Sequence, residues 1–225
     1  MVEITWRSAT EADAASIAAI HVASWRDAYS SILDPDFLAG PVEADRLSLW
    51  SMRLRTAAPA QLVHVAEDLS HTQVGFICAY RDADPRWGSL VDNLHVIPQM
   101  RRRSIGERLL RSAVEGLRDR GSQMGLHLWV FEANKSALRF YMGLGAKIVE
   151  HDVSRIPAAN RKTVLRVHWA ALDELVSPQG ADPQALCLQP AHSQLFMRRG
   201  REQMAENEGP VTEPTVERPP RNGPL

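Results

Sequence analysis

Cysteine is nearly missing from this chain: Cys78 and Cys187 are the only two in 225 residues. Cys78 sits in an apolar run and Cys187 in a polar, proline-containing stretch, so neither a disulfide framework nor paired zinc-ligand spacing is on offer. No run of about 18 apolar residues occurs, which excludes a membrane-spanning helix. The opening "MVEITWRSATEAD" has no basic region leading into an apolar one, so no secretory signal is read. A cytoplasmic protein is expected, and the formal glycosylation sequon at Asn134 carries no weight there. Excess charge is also lacking, because 26 Lys and Arg face 27 Asp and Glu for a formal net charge of -1. General attraction to nucleic acid or to an anionic membrane is thereby excluded, and any basic function must be local. Absent too are the Walker loop, the Rossmann GxGxxG and the GxSxG elbow of hydrolases.

What is present is ample core material, 44% apolar residues, arranged with clear periodicity up to about residue 171. "EITW" reads as a short strand. "TEADAASIAAIHVASWRDAY" reads as a helix capped at Thr10, with Ile17, Ile20, His21, Trp25 and Tyr29 recurring at helical spacing. "PDFLAGPVEADRLSLWSMRLR" predicts a second helical region interrupted at Gly-Pro. "QLVHVAED" and "TQVGFICAY" are strands joined by a polar turn, an antiparallel pair. After the loop "RDADPRWGS" come the strand "LVDNLHV" and a helix from Ser104 to about Arg120, stopped by Gly121. That helix should bury Ile105, Leu109, Leu110, Ala113, Val114 and Leu117 and expose Arg108, Arg111, Glu115 and Arg118. The strand "LHLWVF", a helix from Asn134 to Leu144 and the strands "AKIVEHDV" and "TVLRVHW" complete the order βααβββαβαββ, a mixed α/β domain over residues 1–171. Residues 172–225 are expected to be a disordered tail. From about Ser177 that segment holds more than half of the fourteen prolines and few apolar residues.

The stretch "VIPQMRRRSIGERLL", Val96 to Leu110, runs from a strand through three arginines into a helix. It admits three readings: a solvated turn, a nucleic-acid patch, or a cradle for phosphate. A strand that turns into a helix N-terminus presents unpaired backbone N–H groups at the positive end of the helix dipole. Here those amides run from about Arg103 to Glu107, with Ser104, Ile105 and Gly106 between them, and small residues at 104 and 106 let an anion approach the backbone. Arg101, Arg102 and Arg103 add charge at the rim.

This stretch resembles the acetyl-CoA loop of the GNAT superfamily of N-acetyltransferases, V-x-P-x-x-[QR]-x-x-G-x-[GA], with Arg101 at the [QR] position and Ser104 where glycine is usual. "LWVFEANKSALRFYMGLGAKIVE" resembles the family's second motif through Asn134, Ala137, Phe140, Tyr141, Gly145 and Ala146. "HVASWRDAYSSILDPDFL" looks like its first two helices. The resemblance covers about Ile4 to Trp169. It implies a GNAT-like acyl-CoA N-acyltransferase fold, a mostly antiparallel mixed sheet flanked by helices. It further implies transfer of an acetyl group from acetyl-CoA to a primary amine of a small molecule or protein, by direct attack in a ternary complex and without a metal. The alternative is a module that holds acyl-CoA without turnover; a homodimer is left open.

The same resemblance assigns roles. Backbone groups of Leu94, His95 and Val96 would pair with pantetheine where the sheet splays, with the Val96 N–H polarising the thioester oxygen. Arg101 to Glu107 would hold the pyrophosphate. Asn134 would cap its helix and contact the cofactor arm, and Tyr141 would protonate the departing sulfur. On periodicity alone, Ala137, Phe140, Tyr141 and Leu144 equally form a buried stripe. Strand alternation puts Leu90, Asp92, Leu94 and Val96 on one face. Many relatives carry glutamate at the Leu90 position, so Asp92 is the acid named here, acting through water or as an anchor for the ammonium. Trp25 and Tyr29 line the acceptor pocket or pack beneath it. His95 with His127 is too thin a set to indicate a metal.

Overall fold

The structure, a computed structural model, describes residues 3–176. Its elements are β1 (Ile4–Ser8), α1 (Ala14–Ala28), α2 (Pro35–Ala39), α3 (Pro41–Arg55), β2 (Gln61–Asp68), β3 (Gln73–Asp84), β4 (Gly88–Val96), α4 (Ile105–Asp119), β5 (Leu126–Phe131), α5 (Lys135–Gly143), β6 (Lys147–Val153), β7 (Thr163–Trp169) and α6 (Asp173–Val176). Seven strands form one sheet in the order β1-β2-β3-β4-β5-β7-β6. All neighbours are antiparallel except β4 and β5.

Local chemistry explains most of the boundaries. Asp13 accepts hydrogen bonds from the Thr10 backbone N–H at 2.6 Å and the Thr10 hydroxyl at 3.0 Å, fixing the entry to α1. Asp34 caps α2, accepting from the Asp36 N–H at 2.8 Å, and Gly40 then breaks the chain so that Pro41 can open α3. α4 buries the whole expected stripe from Ile105 to Leu117. It lies so close to the sheet that a Cβ on Gly116 would fall 2.4 Å from Leu62 Cδ1.

α4 and α5 cover one face of the sheet, packing on Leu62, Ile77, Val91, Leu128 and Trp169. α1 and α3 cover the other over β2 and β3, around Trp50, Val65, Phe76 and Cys78. α2 and the end of α1 close over Phe131 and Val164.

Two expectations need correction. The expected loop 81–89 is largely strand: β3 runs on to Asp84, which pairs with Gly88 in a tight hairpin. Asp84 accepts there from the N–H groups of Arg86 and Trp87 at 2.8 and 3.0 Å, which closes the turn. Beyond residue 171, Leu172 and Leu175 are 5% and 2% exposed within the α4-side core, so packing extends past the expected domain end. The tail expected from about Ser177 lies outside the described residues.

Candidate active site at the gap between β4 and β5

β4 and β5 are joined only at Ser89 with Leu126 and Leu90 with His127. Past Leu90 the two strands part, and the β5 side of β4 from Val91 to Val96 has no strand partner. A parallel pair that opens after two residues leaves a wedge whose walls are backbone edges, suited to an extended ligand bearing amides.

The wall of the wedge is not the regular strand that alternation predicts. Cys78 pairs with Asn93 and Ala79 with Val91, so Asp92 is an extra residue, a β-bulge. Val91, Leu94 and Val96 face the α4-side core, whereas Asp92 and Asn93 both meet Arg53 of α3, at 2.6 and 3.0 Å. Asp92 therefore does not share a face with Leu94 and Val96, because the bulge shifts the alternation by one residue. Its carboxylate is committed to the Arg53 guanidinium, both side chains being nearly buried.

At the far end of β4 the chain turns into α4. Among the described residues, no acceptor meets the N–H groups of Arg102 to Glu107; the first amide satisfied in α4 is that of Arg108, from Ser104 at 3.0 Å. Arg102 and Ser104 take left-handed conformations, φ +59° and +57°, and Ser104 makes no side-chain cap. Glycine would adopt this conformation at lower cost. Ile105 is buried, so only its backbone is available to a ligand. Glu107 turns its carboxylate to Arg111, at 2.9 and 3.1 Å, away from the open amides.

Of the three arginines, Arg102 and Arg103 are exposed and have no partner among the described residues. Arg101 is held differently. It ion-pairs with Asp27 of α1, and its Nε donates to the Val96 carbonyl at 3.3 Å. A Cβ at Gly106 would sit 3.6 Å from Phe140 Cζ, an ordinary contact. Packing therefore does not demand glycine there, although a glycine inside a helix costs about 1 kcal/mol.

The second motif and the first helix converge on the opposite wall. Asn134 caps α5, its Oδ1 accepting from the Ala137 N–H at 3.1 Å, and the Tyr29 hydroxyl lies near its side chain. Tyr29 is half-buried, edge-on to Phe131 at 5.1 Å, and burial raises its pKa. Tyr141 is 8% exposed and packs edge-on to Phe140 and Trp169, at 5.1 and 6.1 Å between centroids. Burial, then the nearby Tyr29, pushes its phenol well above the usual value, so it stays protonated. Its hydroxyl has no hydrogen-bond partner among the described residues. Tyr29, Asn134 and Tyr141 thus form one group.

Trp25 and His95 lie elsewhere. Trp25 is 4% exposed, with the Arg46 guanidinium over its ring at 4.7 Å. It packs beneath Tyr29 and offers no surface to an acceptor, because its position on α1 faces the core. The His95 ring points away from the wedge, bonded to Ser24 Oγ at 2.9 Å and stacked on His21 at 4.5 Å. Burial, then the charge of Arg101, holds it neutral with a pKa of about 3. The side chain offers nothing to a ligand in the wedge, and the His95 backbone pairs with Phe76 of β3.

His127 is committed to Arg166 at 3.2 Å, and no group of three or more metal-ligating side chains occurs among the described residues. None of their helices is long and apolar enough to cross a membrane. A depression of about 650 Å³ lies apart from the wedge, lined by Arg7, Asp13, Glu67, His71 and Gln73. Its charges satisfy one another through Arg7, which makes it a brace between β1, β2 and α1. Sequence reasoning missed Arg53 and Asp27. Both sit on helix surfaces where a charged residue reads as solvated, and no local pattern marks their long-range partners.

The profile of a family described as "Acetyltransferase (GNAT) family" matches residues 21–146. The chain is 26% identical over 174 residues to an uncharacterized N-acetyltransferase, YuaI, of Bacillus subtilis (strain 168), covering 76% of this chain and 96% of that one. Its fold is similar to the PaiA N-acetyltransferase of Thermoplasma acidophilum, solved in complex with coenzyme A. The TM-score is 0.59 at 18% identity, covering 74% of this chain and 99% of that one. A GCN5-related N-acetyltransferase of Rhodopseudomonas palustris aligns with TM-score 0.59 at 22% identity, covering 76% and 98%.

Proposed function

The chain belongs to the GNAT family of acetyltransferases, and from that premise we propose that it transfers the acetyl group of acetyl-CoA to a primary amine of a small molecule or protein, by direct attack in a ternary complex. The observation that carries the acetyl-CoA part is the run of unpartnered amides from Arg102 to Glu107 at the end of a strand whose pairing has stopped. Those amides and the exposed Arg102 and Arg103 would hold a pyrophosphate. The β4 edge at Leu94 and Val96 would pair with the pantetheine amides, while His95 between them is paired with Phe76. Gly106 fits this reading, since close approach of phosphate explains a helical glycine that packing does not need.

The chemistry then falls to few groups. The acceptor nitrogen, as free amine, adds to the thioester carbon; the C–S bond breaks and the sulfur leaves as thiolate. The Val96 N–H is offered where negative charge develops on the carbonyl oxygen. Tyr141, protonated and unpartnered, gives its proton to the sulfur and is restored from solvent. The acceptor ammonium gives one proton to water to become the free amine, and after addition its nitrogen gives a second to water; Asp92 is neither a free base nor a free anchor, because Arg53 occupies its carboxylate. Tyr29 and Asn134 orient the acceptor side of the wedge, above Trp25.

An acceptor screen with acetyl-CoA, reading free thiol release over a panel of amines and peptides, tests the proposal. Turnover with at least one amine is expected. Acetyl-CoA binding without turnover on any of them would point instead to a module that holds acyl-CoA.

A further inference from the structure

β4 and β5 stop pairing after Leu90 and the bulge follows at Asp92; a bulge bends its strand, so what holds the bulge bears on the wedge. A bulge leaves its extra residue without a ladder partner, so side chains that hold that residue add to what keeps the local bend in place. Here one side chain holds it. Arg53 Nη1 bonds Asp92 Oδ2 at 2.6 Å and Asn93 Oδ1 at 3.0 Å, joining both residues that the bulge turns to one face. Arg53 is itself immobilised: its guanidinium lies 5.3 Å from the Trp50 ring centroid and 5.9 Å from that of Tyr80. Its side chain is 12% exposed and that of Asp92 is 11%. A planar fork held between rings and bonded to two consecutive residues has little freedom to move.

We propose that Arg53 is a positioning residue of the acyl-CoA site, clamping the Asp92–Asn93 bulge and so presetting the β4 edge from Leu94 to Val96 for the pantetheine arm. The proposal rests on the acetyl-CoA reading above. It assigns Asp92 a first duty as the clamp's anchor. Arg53 touches no reacting atom; it acts through the strand. The clamp and the phosphate loop lie at opposite ends of the exposed edge, so their contributions to binding separate.

That separation supplies the test. Arg53→Met and Arg53→Lys would be titrated calorimetrically with acetyl-CoA and with 3′-phosphoadenosine 5′-diphosphate, which carries the phosphates but no pantetheine arm. In the same proteins, hydrogen exchange would be followed in the peptide spanning 88–97. Arg53→Met should weaken acetyl-CoA about ten- to fiftyfold while the nucleotide fragment stays within about twofold, and exchange in that peptide should rise about tenfold with the β2 peptide unchanged. Arg53→Lys keeps the charge but loses the planar fork, and should fall between wild type and Met. Asn93→Ala combined with Arg53→Met should weaken acetyl-CoA by less than the product of the single effects, because both remove one clamp.

Acetyl-CoA affinity unchanged in a folded Arg53→Met protein, equal weakening of both ligands, or multiplicative single effects would overturn the clamp. If wild type binds neither ligand, the acetyl-CoA reading fails, and the exchange profile of the 88–97 peptide still decides whether Arg53 pins the bulge. Should Arg53→Met not fold, Arg53→Lys and Asn93→Ala carry the same comparison.

Discussion

Tyr141→Phe removes one oxygen from the centre of the proposed site, and the structure sets what that oxygen is worth in each role. The Tyr141 ring is buried between Phe140 and Trp169, and those contacts are unchanged in phenylalanine. Its hydroxyl has no hydrogen-bond partner among the described residues and is not one of their buried unsatisfied atoms, so its loss breaks no bond and relieves no buried cost. The variant should therefore keep its stability to within about 0.5 kcal/mol, a Tm change of no more than roughly 2 °C for a domain of this size. As proton donor to the thiolate the same oxygen is worth a factor of about ten to a thousand in kcat, roughly 1.4–4 kcal/mol of barrier. Steady-state thiol release at saturating acetyl-CoA, with calorimetric affinity and thermal melting alongside, separates the two effects. The expected pattern is a large fall in kcat with affinity and Tm held. Unchanged turnover in the folded variant refutes the assignment, leaving water or the acceptor as the proton source; a fall in Tm with kcat preserved shows a structural bond absent from this structure.

Stability should fall with acid for a definite reason. Burial holds His95 and His127 neutral, with pKa values of about 3 and about 4, and the Arg7 guanidinium holds Asp13 well below the usual carboxylate range. A depressed imidazole contributes fully above its unfolded value near 6.5, and its contribution is lost as pH falls toward 3–4, about 1.4 kcal/mol per pH unit for each ring. The Asp13 contribution is present above about pH 4 and goes last. Denaturant titrations from pH 7.5 to 3 should show this order, and a flat profile down to pH 5 would contradict it. Asp13→Ala, which takes from Arg7 one of its two carboxylate partners and strands two Thr10 donors, should cost about 1–3 kcal/mol. Ser104→Gly relieves a left-handed serine at about 1–2 kcal/mol but adds unfolded-state entropy of about 0.5–1 kcal/mol. Melting should thus rise slightly, and a loss above about 1 kcal/mol would show that the hydroxyl makes a needed contact. Leu175→Ala, at 2% exposure in the α4-side core, should cost about 2–5 kcal/mol in urea unfolding; no change would place the domain end before it.

The elements were legible where one physical rule governed them. The α4 stripe from Ile105 to Leu117 is buried as its spacing predicts, and the Gly40–Pro41 break separates α2 from α3 as composition predicts. The parts that were not legible depend on rules that sequence does not carry. Period-2 alternation has no term for an extra residue, so it put Asp92 beside Leu94, and the bulge moved it to Arg53. Arg53 itself reads as a solvated cation in the last turn of α3, because a pairing 39 residues away leaves no local trace. The proximity of Tyr29 to Asn134 and Tyr141 is likewise a product of topology, which carries α1 over the end of β5. Trp25 and Tyr29 are one helical turn apart, yet the structure buries the first and leaves the second half-buried against Phe131.

The central claim is that the amides of Arg102 to Glu107 and the open edge of β4 bind acetyl-CoA, and isothermal titration of the full chain with acetyl-CoA tests it directly, with Gly106→Asp as control. A saturable one-site isotherm is predicted, together with a melting rise worth about 2.7 kcal/mol at a hundredfold excess over Kd. The Gly106→Asp protein, which sets a negative charge against the phosphates where a Cβ alone meets only ordinary contacts, should fold and lose the response. No heat and no melting shift with millimolar acetyl-CoA in the wild type, or equal binding by the folded Gly106→Asp variant, would contradict the account.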